Sequence, residues 1–272
     1  MSENLLTDGI ADLLDSVLDA ASTDLYVVNP SQGTIEELIS VMTDLESPPT
    51  VNLLAGERSL KDVMDDFIVA SRAANLVEAG HLSIRTTSSQ PENSLFITEN
   101  EVVSIVTAGD RVAGLTTDDS DFVTSVRDRY ATVWDDADEY ALRTPPLTEV
   151  RDTLSADISE ATAADFDEVL ASLQTARGNG DGLDEVTISL LVAAKNGELL
   201  YDISKWGEDI GLASKATFSR TKTKLEDMGL IDTEKVPIDV GRPRLRLMLG
   251  DSRLQDAEAD QLANVSQSLL SN

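Results

Sequence analysis

The sequence predicts a two-domain chain: an α/β domain first, then a mostly helical domain that ends on a two-stranded β hairpin. Three observations carry this reading. Short apolar runs alternate with segments of helical period through the first half of the 272 residues, and helical period dominates the second half until two strand-like runs near 230–250. The charge is also split: residues 1–180 hold 10 basic and 34 acidic residues, a balance of −24, whereas residues 211–250 hold 8 basic and 5 acidic, a balance of +3. The predicted organisation is an α/β unit over 1–145, a helical linker over 146–160, a compact module over 161–250 and a C-terminal helix over 251–272.

In the first unit Leu5, Leu6, Ile10, Leu13, Leu14, Val17 and Leu18 recur at helical spacing, and Asp24–Pro30 reads as a buried strand. Thr34 with Glu37 has the form of a capping box for a helix over Ile35–Leu45, which Pro48 and Pro49 terminate. The pattern repeats: a strand over Thr50–Gly56, a helix capped by Ser59 and Asp62 reaching Ala79, and a strand over Leu82–Thr87. This alternation implies parallel strands joined by right-handed crossovers. Ser94–Thr98 and Val102–Val106 flank Glu99–Glu101 as a hairpin, Val112–Thr116 adds a strand, and the run from Asp118 opens a helix to about Tyr140.

Arg143–Pro146 reads as the domain boundary. Beyond it an acidic helical stretch carries Phe166, Val169, Leu170 and Leu173 on one face, and Gly178–Gly182 reads as a turn. Asp184–Ala194 forms a helix, Ile203, Trp206 and Ile210 place an apolar face on a second, and Gly211 ends it. Ser214 then caps a third helix to Asp227, buried through Phe218, Thr221, Leu225 and Met228. Leu230–Val236 and Arg244–Leu249 make the hairpin, joined by Pro237–Pro243.

The third helix contains KATFSRTKTK, four basic residues and no acid in a chain of net charge −29. At about 100° per residue, Ala216, Ser219, Arg220 and Thr223 project away from the buried stripe, and Lys215, Lys222 and Lys224 lie on the flanks. Two helices, a glycine turn, a third helix with small polar residues and an arginine outward, and a two-stranded wing have the form of a winged helix-turn-helix. Small side chains admit a helix to the major groove, where an arginine donates two bonds to guanine, and flanking lysines reach phosphates. The expected contacts to double-stranded promoter DNA are Lys215, Ala216, Thr217, Ser219, Arg220, Lys222, Thr223 and Lys224, with Arg242 and Arg244 from the wing. The rival reading is a winged helix that docks a protein instead.

Ile210–Ile231 followed by Val240–Leu249 resembles the winged helix of archaeal regulators, and Leu200–Pro237 resembles the haloarchaeal TbsP-type transcriptional regulators in particular. The likeness covers most of the chain. NSLFITENEVVSIV and GLTTDDSDFVTSVRDRYATVWDDA are also similar to the effector domain of TrmB-type sugar-responsive regulators. That resemblance implies a phospholipase D-like or related mixed sheet, here placed before the winged helix instead of after it. It further implies a promoter-binding regulator of central carbon metabolism with a sugar or sugar phosphate as effector.

Catalysis and metal chemistry are not expected. Cysteine is absent and His81 is the single histidine, followed by Leu82 and Ser83, so the H-x-K nucleophile motif of phospholipase D chemistry is missing. No cofactor or metal is expected, and Asp118, Asp119 and Asp121 read as a helix cap. The loops after the first two parallel strands, at Asn29, Ser31 and Thr34 and at Gly56, Arg58 and Ser59, are the expected place for a small anionic metabolite. No run spans a bilayer and the N-terminus lacks a basic leader, which predicts a cytoplasmic protein. An acidic coat of this density suggests a high-salt interior, where a Debye length of about 3 Å at 1 M screens self-repulsion. A homodimer is expected; Leu254, Ala257, Leu262, Val265 and Leu269 offer a helix that either pairs two copies or packs on its own domain.

Overall fold

The computed structural model describes residues 4–21, 23–87, 93–109, 111–177, 182–239 and 243–270. It divides into two units, residues 1–65 with 72–142 and residues 66–71 with 143–272.

The first unit is an eight-stranded mixed sheet. In chain order its elements are β1 (Leu5–Thr7), α1 (Ile10–Ala20), β2 (Asp24–Val28), α2 (Gln32–Asp44), β3 (Thr50–Ala55), α3 (Glu57–Met64), α4 (Phe67–Glu78, whose residues up to Ser71 are counted with the second unit), β4 (Leu82–Thr86), β5 (Leu95–Ile97), β6 (Val102–Ala108), β7 (Arg111–Thr117), α5 (Ser120–Asp136) and β8 (Asp138–Glu139). The order across the sheet is β1-β7-β6-β5-β2-β3-β4-β8. Only β2, β3 and β4 run parallel, joined by helical crossovers; the remaining pairings are antiparallel. One face packs against α1, where a Cβ at Gly114 would lie 3.0 Å from Leu13 and 2.9 Å from Val103. On the other face Val28, Leu54, Ile97 and Val102 bury against Val123 and Tyr130 of α5.

Four local readings are corrected. Leu5–Thr7 is a strand and not a first helical turn, because Leu5 pairs with Gly114 of β7 and the helix begins only after Gly9. The cap of α2 is Ser31, whose hydroxyl accepts from Thr34 N at 3.2 Å, so Thr34 lies inside the first turn. The helix expected from Ser59 to Ala79 is two helices: α3 opens at Glu57, and the buried Asp66 carboxylate accepts from Ile68 N at 3.0 Å to start α4. Finally α5 stops at Asp136, because Ala137 turns extended and Asp138–Glu139 pairs with β4 as an edge strand. A two-residue strand has no period to read.

The second unit contains α6 (Leu147–Asp157), α7 (Glu160–Ser172), α8 (Glu185–Lys195), α9 (Leu200–Asp209), α10 (Lys215–Asp227), β9 (Ile231–Val236), β10 (Arg244–Leu249), α11 (Ser252–Gln255) and α12 (Ala259–Leu270). The stretch read as a linker includes α6, whose Leu147, Val150 and Leu154 are buried in this unit's core. α8 is at the centre, with every residue from Val186 to Ala194 buried. The glycine turn expected at Gly178–Gly182 lies outside the described residues except for Gly182. Leu254, Leu262 and Ala263 join the same core, and Val265 and Leu269 pack against it, so the C-terminal helix covers its own unit.

Candidate nucleic-acid interface

The interface is built on the tight packing of α9 against α10. Phe218 is fully buried, and a Cβ at Gly207 would overlap its ring, so only glycine lets the two helices approach this closely. Gly211, at φ 74°, takes the left-handed conformation that ends α9, and Leu212 N returns to Gly207 O at 2.8 Å. Ser214 then accepts from Thr217 N at 3.2 Å and starts α10. Phe218 and Leu225 anchor the helix, Thr221 is half-buried and Met228, expected on the buried stripe, is 42% exposed beyond the last turn.

With that stripe inward, Ala216, Ser219, Arg220 and Thr223 are all exposed in one row. Among the described residues no charged group binds them: Arg220 Nη2 donates to Thr217 Oγ1, at 3.4 Å, and Thr223 bonds back to Ser219 O at 3.1 Å. Lys224 is exposed as well. The flanking cations are different. Lys215 Nζ is 2.5 Å from Glu208 Oε2, and Glu208 also accepts from Lys215 N at 3.3 Å, which places a carboxylate at the positive end of α10. Lys222, with its side chain 12% exposed, is 2.6 Å from Glu226, which Thr233 of β9 also bonds at 2.7 Å.

These contacts shift both carboxyls. The hydrogen bond from the Lys215 ammonium holds Glu208 below its ordinary range and raises Lys215 in turn. For Glu226 burial pushes upward, but the bonds from Lys222 and Thr233 outweigh it and the net direction is down.

In the wing, β9 and β10 pair in register from Ile231↔Leu249 to Val236↔Arg244. A bridge from Leu199 to Arg246 joins the start of α9 to this hairpin, a contact without any sequence signal. Arg244 is 3.0 Å from Asp202 and stacks over Tyr201 at 4.2 Å, whereas Arg246 is exposed. Arg242, expected at the wing tip, lies outside the described residues.

Of the residues expected to hold a metabolite, none lines the cavity of the first unit, although Gly56 and Arg58 flank Glu57 in its wall. Asn29 has φ 47° and donates its N–H to Leu54 O, Ser31 and Thr34 are engaged in the α2 cap, and Arg58 is 95% exposed beside Asp62. Gly56 is the N-cap of α3, and Ser59, half-buried, lies within that helix. A cavity of about 400 Å³ instead opens among Glu57, Thr86, Thr87, Val133, Asp136, Ala137 and Asp138, at the carboxyl end of β4. Sequence reasoning missed it because half its wall is the unanticipated turn into β8. Among the described residues no group of three or more His, Asp or Glu is placed to hold a metal ion, and no helix is long and apolar enough to cross a membrane.

Comparison with known proteins divides the chain between two models of one family. The N-terminal model of TbsP-like transcriptional regulators matches residues 2–145, and the C-terminal helix-turn-helix model of the same family matches residues 146–267. No curated protein matches the chain. Among solved structures, TrmBL2, an archaeal chromatin protein described as showing a novel mode of DNA binding, is 13% identical with a TM-score of 0.37 and covers 51% of this chain. The alignment spans 54% of TrmBL2, about half its length. NucT from Helicobacter pylori is 12% identical with a TM-score of 0.37, over 51% of this chain and 99% of NucT.

Proposed function

The chain belongs to the TbsP-like transcriptional regulators, and from that premise we propose that it reads promoter DNA with α10 in the major groove and the wing beside it. The observation that carries this is the exposed row Ala216, Ser219, Arg220 and Thr223: small or forked side chains, none engaged with a carboxylate, on a helix anchored by Phe218 and Gly207. Arg220 reads a guanine; Thr217 and Lys224 add backbone contacts, and Lys215, Lys222, Arg242 and Arg244 serve the phosphates. Because three of those cations already face an internal carboxylate, fewer counterions are released on binding and the salt slope is shallow. Footprinting of the purified chain on its own and neighbouring promoters tests this. Protection that is unchanged in an Arg220→Ala, Thr223→Ala variant refutes the orientation of α10.

The first unit serves as the sensor in this reading, without catalysis, and the regulated genes are those of central carbon metabolism. Its cavity at the end of the parallel strands supports a ligand role, since open α/β sheets bind small molecules there. Glu57, Asp136 and Asp138 in its wall disfavour the sugar phosphate expected from the loops and favour a neutral, hydroxyl-rich metabolite. Calorimetry with uncharged and phosphorylated sugars separates the two, and DNA occupancy mapped on two carbon sources tests the regulon.

A further inference from the structure

Among the described residues of the first unit, part of one sheet face has no helix over it. Register places Leu6, Ala113 and Val106 in one row across β1, β7 and β6, followed by Leu115 beside Ser104. These side chains point away from α1, which packs on the Gly114 face, and α5 covers the continuation of the face from Val102 at the start of β6 across Ile97, Val28 and Leu54. Leu6 is 62% exposed, Leu115 49% and Val106 47%. Two seven-residue strands and the three-residue β1, at about 3.4 Å per residue and about 4.8 Å apart, span roughly 300 Å², with Leu6, Val106 and Leu115 at the centre. A patch of this order is in the range of the largest apolar patch on a folded domain, which is often functional.

What covers it follows from charge. The strand positions on this face, from Leu6 through Ser104–Ala108 to Arg111–Thr117, include one cation and no carboxylate, in a chain with 50 acidic residues. Nucleic acid gains nothing from a neutral apolar face, and a basic partner would be drawn to the acidic coat elsewhere. A second copy carries the same acid-free face, so two chains of charge −29 can meet here with the least repulsion. The ends complement each other too. β7 begins at Arg111 and runs out into the exposed Asp118 and Asp119, so a two-fold axis across the strands sets the Arg111 of each copy against the acidic end of the other. Arg111 is held only loosely within its own chain, 4.0 Å from an Asp8 that is 96% exposed.

We propose that this face of β1, β7 and β6 is where two copies of the chain pair, antiparallel and sheet on sheet. The C-terminal helix is already spent on its own core, which leaves it no part in the contact.

Sedimentation equilibrium of the full chain, without DNA and in concentrated KCl, tests the pairing apart from any DNA reading. The parent is expected to be a dimer and the Leu6→Asp, Leu115→Asp variant a monomer, its dimer weakened at least about 100-fold. A far-ultraviolet spectrum shows whether that variant folds. If it does not, V106C decides alone: the parent has no cysteine, and a bismaleimide spanning about 10 Å, the separation of stacked sheets, should link V106C chains in pairs and leave R58C chains single. A monomeric parent overturns the proposal. So does a folded aspartate variant that remains a dimer, or a V106C that links no better than R58C.

Discussion

The two sides of α10 handle charge in opposite ways. The outward row is chemically idle, with Arg220 touching only a threonine hydroxyl, whereas on the flanks Lys215 and Lys222 each hold a carboxylate and Arg244 of the wing holds a third. On the proposed reading the row that would read sequence is ready before DNA arrives, and three of the cations that would grip phosphate, Lys215, Lys222 and Arg244, are already occupied. Glu208 is the sharpest instance, for it takes the N-terminal position on α10 where a phosphate would otherwise bind. In a protein of net charge −29 this arrangement is expected to lower affinity for arbitrary DNA more than affinity for a matching site. On that reading the paired carboxylates act for discrimination.

The comparison collapses if the helix carrying both sides is released. Phe218→Ala should cost about 3–5 kcal/mol, the range for a fully buried aromatic, and Gly207→Ala should cost at least the roughly 1–3 kcal/mol of an overpacked core. Calorimetric melting should show the loss in the second unit, and specific and non-specific DNA binding should fail together. Next in size is Arg220→Ala. Loss of a bidentate base contact costs about 1–3 kcal/mol, so the cognate site should weaken by about 5- to 150-fold and random DNA hardly at all. Equal weakening of both would move Arg220 from the reading row to the flank.

Much of this was legible in the sequence, and the reasons for the failures are physical. Ser214, Gly211 and the Phe218–Leu225 stripe announce α10 because capping, turn and period are all local. Gly207 was silent: its importance lies in a ring eleven residues away, and nothing near it reveals a clash that glycine avoids. The flanking pairs were half-legible. Lys222 and Glu226 are one turn apart and predictable, whereas Lys215 with Glu208 and Arg244 with Asp202 need the turn and the wing to bring them together. In the first unit the parallel strands were read closely, but β1 and β8, three and two residues long, had no period to show. β8 forms one edge of the sheet and gives Asp138 to the cavity wall, so that cavity had no signal in the sequence.

The flanks can be changed without touching the reading row. Glu208→Gln, Asp202→Asn and Glu226→Gln keep the shapes and the acceptor oxygens while removing the charges. Each freed cation should add up to about 0.9 to the salt slope of binding, and about 3 for the triple variant. Random DNA should gain more affinity than the cognate site, so the specificity ratio falls although both bind tighter. A slope equal to that of the parent would mean that DNA already displaces these carboxylates in the complex.

The smallest expected effect is on pH, and its sign is fixed by the direction of the shifts. Glu208 and Glu226 are both held below 4.5, the ordinary glutamate value. A carboxylate with a depressed folded value stabilises the fold fully above its unfolded value and loses that contribution as pH falls through the lowered one. Between about pH 5.5 and 8 both pairs are intact, and these groups give no pH dependence to melting or to DNA binding. Below about pH 4.5 stability should decline while Lys215 and Lys222 are released, so DNA affinity per folded molecule should rise as the melting temperature drops. Glu208→Gln should remove part of both trends. Parallel melting and fluorescence-anisotropy titrations separate this outcome from simple acid unfolding, in which affinity and stability fall together and glutamine at 208 changes neither slope.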